Sequence, residues 1–300
     1  MNGLLARSWT AAAAGYDRIF VHQFEPWTAS CVHTLRGMLR AEGVASGEAK
    51  MYRSIAKGAV WVPCCGPGQE LPLLDKLLRE FDENDGSGSR RIFATDLAEG
   101  MVELARNRGS QIGPHVHAAV GDAMTPPACV DGGFAVILSV FGLQQLPDPA
   151  LAMSRWVAAL STGGVLVVAF WPHNVEEQGP WATFRHIIAA RSCGEQQGSR
   201  APSPAAAWES ALEAACEENR GVVEVDTQVS HAIHWESLDF FWDAMTQHGP
   251  WEALARRSHV YPCHHQNLCA VVACVCVVSD CDSRQIPCAA VLILLCLFAG

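Results

Sequence analysis

The residues of this sequence best suited to hold a ligand are a glycine-rich turn and two aspartates. The turn, Cys64-Cys65-Gly66-Pro67-Gly68, follows the apolar run Ala59-Val60-Trp61-Val62-Pro63 and leads through Gln69-Glu70 into Leu71-Pro72-Leu73-Leu74-Asp75-Lys76-Leu77-Leu78-Arg79. The run has the length of a buried strand and the leucines recur at helical spacing, so the stretch reads as strand, tight turn, helix. At the carboxyl end of a parallel strand, glycines let the backbone approach a ligand, and the helix behind them offers free N–H groups and a positive dipole end. A nucleotide-like cofactor suits such a place. Asp96 closes a second apolar run, Arg91-Ile92-Phe93-Ala94-Thr95, and Asp122 follows a third, His115 to Val120, through Gly121. Taken singly, either acid is equally well explained as a strand-end turn or cap residue.

These residues need a scaffold, and the spacing of apolar residues supplies one. Residues 10–40 read as helical, with Tyr16, Ile19, Phe20 and Phe24 in one stripe that Pro26-Trp27 is expected to interrupt. Helices are expected over Gln69–Phe81 and Ala98–Arg108, with a polar surface loop at 82–89 between the first helix and the second strand. Phe134–Ser139 is continuously apolar, as a strand covered on both faces should be. Pro147–Leu160 reads as the next helix, Ser161–Gly164 as a turn, and Val165–Phe170 as the fifth strand. This alternation predicts an α/β fold, a doubly wound and mostly parallel sheet over roughly residues 55–171. Beyond Trp171 we expect an inserted cap over 172–220, with an aromatic helix near Trp181–Ile188 and a linker at 194–207. A strand over Val222–Val229 and a helix through Phe240–Met245 follow. The division is a helical lid at 1–50, a sheet domain at 51–260, and a Cys-rich apolar tail at 261–300.

Composition narrows the partners. A formal net charge of −10 with no basic run argues against a phosphate-binding surface, so nucleic acid is not expected. The N-terminus lacks a long apolar core with a cleavage site, so a cytoplasmic protein with reduced thiols is expected, an organellar one being the alternative. Seven of the thirteen cysteines fall in the last 38 residues. There, neither Leu268–Val278 nor Cys288–Ala299 reaches the ~18 apolar residues of a membrane span. One of them is a candidate for the last strand; a frame-shifted or mis-spliced end outside the fold is the alternative. Cys263-His264-His265 with Cys269, Cys274 and Cys276 has no C-x-x-C pair, and the adjacent Cys64 and Cys65 have no partner spacing, so no metal site is expected.

Four segments in order, Cys65-Gly66-Pro67-Gly68, Ala94-Thr95-Asp96-Leu97 with Gly100-Met101-Val102, Gly121-Asp122-Ala123, and Ser139-Val140-Phe141-Gly142-Leu143-Gln144-Gln145-Leu146-Pro147-Asp148-Pro149, resemble class I S-adenosylmethionine-dependent methyltransferases. The resemblance spans roughly Gly15–Phe170 and is strongest to the small-molecule enzymes of the quinone-biosynthesis type. It implies S-adenosylmethionine as cofactor on a Rossmann-like methyltransferase fold. Asp96 would take both ribose hydroxyls and Asp122 the adenine amino group, while Leu97, Met101 and Ala123 belong to the base and sugar pocket. Cys64, Gly66 and Gly68 would pass close to the methionine moiety, Ser139 to Phe141 would face the methyl group, and Tyr16 resembles a lid tyrosine. The sequence departs from the family where its motif I acid falls on Val62 and its first glycine on Cys64, so the anchor for the cofactor's amino group is missing or moved. Ala98 and Ala135 are milder departures.

The reaction this implies is in-line methyl transfer to a small, apolar or aromatic acceptor, driven mainly by alignment in a dry pocket. The catalytic residue stays unassigned. A base is needed only if the acceptor must lose a proton, and His173, His186, His231 and His234 are the candidates, each equally readable as a surface or core histidine. Trp27, Trp171, Trp181, Phe184, Trp235, Phe240 and Trp242 are candidates for an acceptor pocket or for cap core. Two rivals remain. A nicotinamide oxidoreductase would want a third glycine where Leu71 stands. A non-catalytic, degenerate methyltransferase-fold binding protein would account for Val62. Oligomeric state is not readable.

Overall fold

Short apolar runs pair side by side to make the sheet. The computed structural model describes residues 2–40, 58–85, 90–128, 132–171, 182–183, 186, 221–248 and 286–299. Strands β1 (Ala59–Pro63), β2 (Ile92–Asp96), β3 (Val116–Val120), β4 (Phe134–Val140) and β5 (Leu160–Phe170) are joined by parallel pairing throughout. β6 (Gly221–Trp235) and β7 (Ile286–Ala299) complete a seven-stranded sheet of order β3-β2-β1-β4-β5-β7-β6, with β7 antiparallel to both neighbours. The chain order reverses between β1 and β4, and in open α/β sheets the crevice at such a reversal is where ligands bind.

Alternation along the strands sends side chains to two cores. Val60 and Val62 of β1 join one face with Val136, Leu138, Val165 and Val167, whereas Trp61 joins the other with Ile137, Leu166 and Val168. The first face is covered by α1 (Asn2–Ile19), α2 (Val21–Arg40), α3 (Leu71–Asp85) and α4 (Glu99–Ile112), through residues such as Ile19, Leu35, Leu74 and Met101. The second is covered by α5 (Pro149–Ala158), whose Ala152, Met153, Trp156 and Val157 are buried. Asp148 caps α5, its side chain accepting the Leu151 N–H at 2.9 Å. A last short helix, α6 (Leu238–Asp243), follows β6 and is capped by Ser237.

Several boundaries differ from expectation for identifiable reasons. Pro26 lies inside α2 without ending it; the break falls at Phe20 instead, between α1 and α2. Helix α3 runs on through Asp82-Glu83-Asn84-Asp85, which polarity alone had marked as loop. The expected turn at Ser161–Gly164 is the irregular opening of β5, where Gly163 has φ +72° and the β4–β5 register shifts. Such a shift lets glycine-containing backbone stay in the ladder. The late strand reaches Trp235, and the expected helix through Phe240 begins at Leu238. The linker at 194–207 and nearly all of the proposed cap at 172–220 lie outside the described residues, as does Leu268–Val278. Among the described residues no helix is long and apolar enough to cross a membrane.

Candidate functional site

At the carboxyl ends of β1, β2 and β4 the sheet opens into a cleft, the place where open α/β sheets bind ligands. Its walls come from the turn after β1, the end of β2, the turns after β3 and β4, and α1. The turn after β1 is held by Asp96, whose Oδ2 accepts the Gly66 N–H at 2.9 Å, and by the Cys65 N–H donated to the Thr95 carbonyl at 3.0 Å. Asp96 Oδ1 accepts the Ala98 N–H, also at 2.9 Å, which fixes the carboxylate between two loops. Each oxygen keeps lone-pair capacity for a further donor. Burial pushes the Asp96 pKa up, and the N–H groups of Ala98, Gly66 and Leu97 pull it back.

Gly66 has φ +50°, and a Cβ placed on it would meet nothing within 4 Å, so its missing side chain is open cleft. Gly68 is different. At φ +78° it turns the chain under α4, where a Cβ would lie 2.7 Å from Leu71 Cδ1 and 3.1 Å from Ala105. Cys64 and Cys65 are free thiols whose pKa values are raised well above the ordinary value, by burial first and then by Asp96. Protonated thiols in this setting are poor nucleophiles and poor metal ligands. Among the described residues there is no cluster of acidic, histidine or cysteine side chains able to hold a metal ion.

Arg108 of α4 ties the roof to the turn: its guanidinium pairs with Asp17 of α1 and also donates to the Pro67 carbonyl. Tyr16, Trp9, Leu5 and Ala6 of α1 line the cleft from that side. Burial raises the Tyr16 pKa, with the negative charge of Glu70 and Asp96 adding to it, so its hydroxyl stays protonated. Opposite, Val140, Phe141 and Gly142 form the wall after β4, and Phe141 stacks face to face on Trp171 at 4.4 Å.

Sequence comparison meets this geometry at the same segment. Residues 63–164 match the family model described as a methyltransferase domain. That match covers about a third of the chain. The chain is similar to the demethylmenaquinone methyltransferase of Staphylococcus haemolyticus (strain JCSC1435), at 28% identity over 104 residues, 35% of this chain and 39% of that one. It thus spans about two fifths of the length of that curated relative. Among solved structures it is similar to a candidate methyltransferase from Bacillus halodurans C-125, at 18% identity and TM-score 0.49, covering 85% of this chain and 100% of the other. It is also similar to the YcgJ protein of Bacillus subtilis, at 12% identity and TM-score 0.46, over 83% and 97% of the two chains.

Of the residues singled out in the sequence, the fold brings Tyr16, Cys64, Gly66, Asp96, Leu97, Met101 and Ala123 to the cleft lining. Gly68, Asp122 and Ser139 are not part of that lining. Ser139 is fully buried, its hydroxyl donating to the Pro63 carbonyl at 3.3 Å, so it joins the ends of β4 and β1. Asp122 stands between the lining residues Gly121 and Ala123, and its Oδ1 accepts the Met124 N–H at 2.9 Å. That turn is docked by the Trp156 indole N–H on the Ala123 carbonyl and by Arg155 on the Met124 carbonyl. None of the described histidines lines the cleft: His231 is 3.1 Å from the Ser30 hydroxyl and packs on Trp27, while His186 and His234 are exposed. Trp27 and Trp235 are core, which removes them from the acceptor candidates, and Trp181, Phe184 and His173 lie outside the described residues. The sequence reading missed Glu70, Leu5, Ala6 and Trp9. Their signals were an acid set among leucines and an α1 stripe beginning earlier than residue 10.

Proposed function

We propose that this protein transfers a methyl group from S-adenosylmethionine to a small, apolar or aromatic acceptor. The supporting observation is the cleft itself, where an ionisable carboxylate at the end of β2, the open face of Gly66 and an apolar lining that includes Leu97 and Met101 converge at the sheet's switch point. These residues fit the cofactor: Asp96 retains acceptor capacity toward a sugar diol, and Gly66 leaves the space a tail would fill. When bound, the cofactor supplies a sulfonium-activated methyl group. The chain's own part is to orient, through Asp96 and the Gly66 turn, and to exclude water, through Phe141, Val140 and Trp9. With no described histidine on the cleft, alignment rather than a histidine base is the chain's main contribution.

Cytoplasmic residence and the roles of Asp122, Gly68 and Ser139 toward the cofactor belong to the same reading. So does the division into lid, central domain and tail. Isothermal titration with S-adenosylmethionine tests the cofactor, and a screen of small acceptors with radiolabelled methyl donor tests the reaction. Heat of binding with label transfer supports the enzyme; heat without transfer to any acceptor supports the non-catalytic alternative, which Val62 in place of the family's motif I acid favours. Absence of heat leaves only that alternative.

A further inference from the structure

Glu70 lines the cleft from the turn ahead of α3 and is only 2% exposed. Its carbonyl accepts the Leu74 N–H at 2.9 Å and so starts the helix, a structural duty that any residue's backbone could perform. The side chain is not explained by that duty. Its carboxyl interacts with its own N–H and with the Gln69 amide, yet Oε2 is buried without a hydrogen-bond partner. A buried carboxylate oxygen left in this state is costly unless a ligand completes it.

The surrounding charges do not complete it. Arg108 of α4, the cation acting on Glu70, has its guanidinium committed to Asp17 and to the Pro67 carbonyl. Asp96 from β2 acts on Glu70 as a like charge, and Tyr16 of α1 and Cys65 of the turn feel Glu70 as one. Burial therefore dominates and raises the Glu70 pKa from 4.5 to about 8. What this pocket lacks is a cation. Meanwhile position 62, where the resembled family carries its acid for the cofactor's amino group, is Val62, completely buried in the sheet core.

We propose that Glu70 anchors the ammonium group of the cofactor's amino-acid tail, a duty displaced from position 62 to the first residue before α3. The inference rests on the methyltransferase reading and assigns Glu70 a binding role, not a step in methyl transfer. Binding of an ammonium group drives Glu70 to its ionised form, so the proton it carries near neutrality leaves to solvent.

The test is titration calorimetry of the full chain with two ligands, S-adenosylhomocysteine and 5′-methylthioadenosine, which shares the nucleoside and lacks the amino-acid tail. In Glu70→Gln we expect S-adenosylhomocysteine affinity to fall by about tenfold or more, the scale of a lost charged hydrogen bond, with 5′-methylthioadenosine within about twofold. For the unaltered protein near neutral pH, S-adenosylhomocysteine measured in buffers of different ionisation heat should release close to one proton, and 5′-methylthioadenosine almost none. Equal loss for both ligands in Glu70→Gln, or no loss for either, overturns the assignment while leaving the cofactor reading intact, as does tail binding without proton release. If the unaltered protein binds neither ligand, the cofactor reading falls and this assignment with it.

Discussion

Cys64 and Phe141 adopt the same left-handed backbone, with φ of +53° and +61°, at the carboxyl ends of the adjacent strands β1 and β4. Between them Gly142 has no room for a side chain, since a Cβ there would sit 2.4 Å from Cys64 Cβ. Two side-chain-bearing residues thus hold a conformation that glycine adopts without cost, at the point where the chain turns into the cleft.

Replacing Cys64 with glycine should relieve that strain. For Cys64→Gly we expect urea unfolding to show a gain of about 1 kcal/mol, the left-handed penalty less the packing of a small thiol. A decrease would mean that the thiol's contacts outweigh the backbone term.

Gly68 presents the opposite case. Its φ of +78° and the 2.7 Å approach of Leu71 to a would-be Cβ make Gly68→Ala both strained and overpacked. Unfolding should cost about 2 kcal/mol less for the variant, and α4 should shift outward, visible as faster amide exchange around Ala105.

In Asp96→Asn, one of the two N–H groups of Gly66 and Ala98 loses its acceptor, because an amide nitrogen must face it. Stability should drop by about 1–3 kcal/mol, and calorimetry should show S-adenosylmethionine affinity reduced by at least about tenfold.

Acid–base linkage gives a sign that can be checked on the ligand-free protein. Glu70 is protonated more readily in the folded chain, about 8 against 4.5, so the folded state binds more protons between those values and its stability falls as pH rises through them. Asp96, also raised, contributes in the same direction from a lower starting pH. Urea midpoints near about pH 5 and about pH 8 should therefore differ, the lower pH being the more stable, and Glu70→Gln should remove most of the difference. An unchanged slope in that variant would place the linkage elsewhere.

The Arg108 tie between α1 and the turn is partly exposed, at 25% and 26% for its side chain and that of Asp17. Arg108→Met should consequently cost no more than about 1 kcal/mol of stability, yet accelerate release of bound S-adenosylhomocysteine about fivefold in stopped-flow measurements.

The parallel core was legible because each of its strands is a short apolar run with turn chemistry behind it, and Asp96 was legible because it ends such a run. What escaped the sequence had other physical origins. Pro26 was expected to break a helix, but Phe24, Trp27 and Cys31 bury the surrounding face strongly enough to carry α2 across it. The tail of α3 looked like loop because Asp82–Asp85 are polar, and composition does not register a helix that continues through polar residues. Glu70 was overlooked since its importance lies in an unmet hydrogen bond, a property of three-dimensional surroundings rather than of residue type. The hydrogen bond from the Ser139 hydroxyl to the Pro63 carbonyl likewise depends on how β4 and β1 pair, which residue type alone does not announce.

Helix α1 contributes Leu5, Ala6, Trp9 and Tyr16 to the cleft while resting on α4 at Gly100, where a Cβ would lie 2.7 Å from the Thr10 carbonyl. One side of the chamber is therefore built from the opening 18-residue helix and not from the sheet. An exchange at Leu5, Ala6 or Trp9 therefore reshapes the chamber wall while every residue of the parallel sheet stays the same.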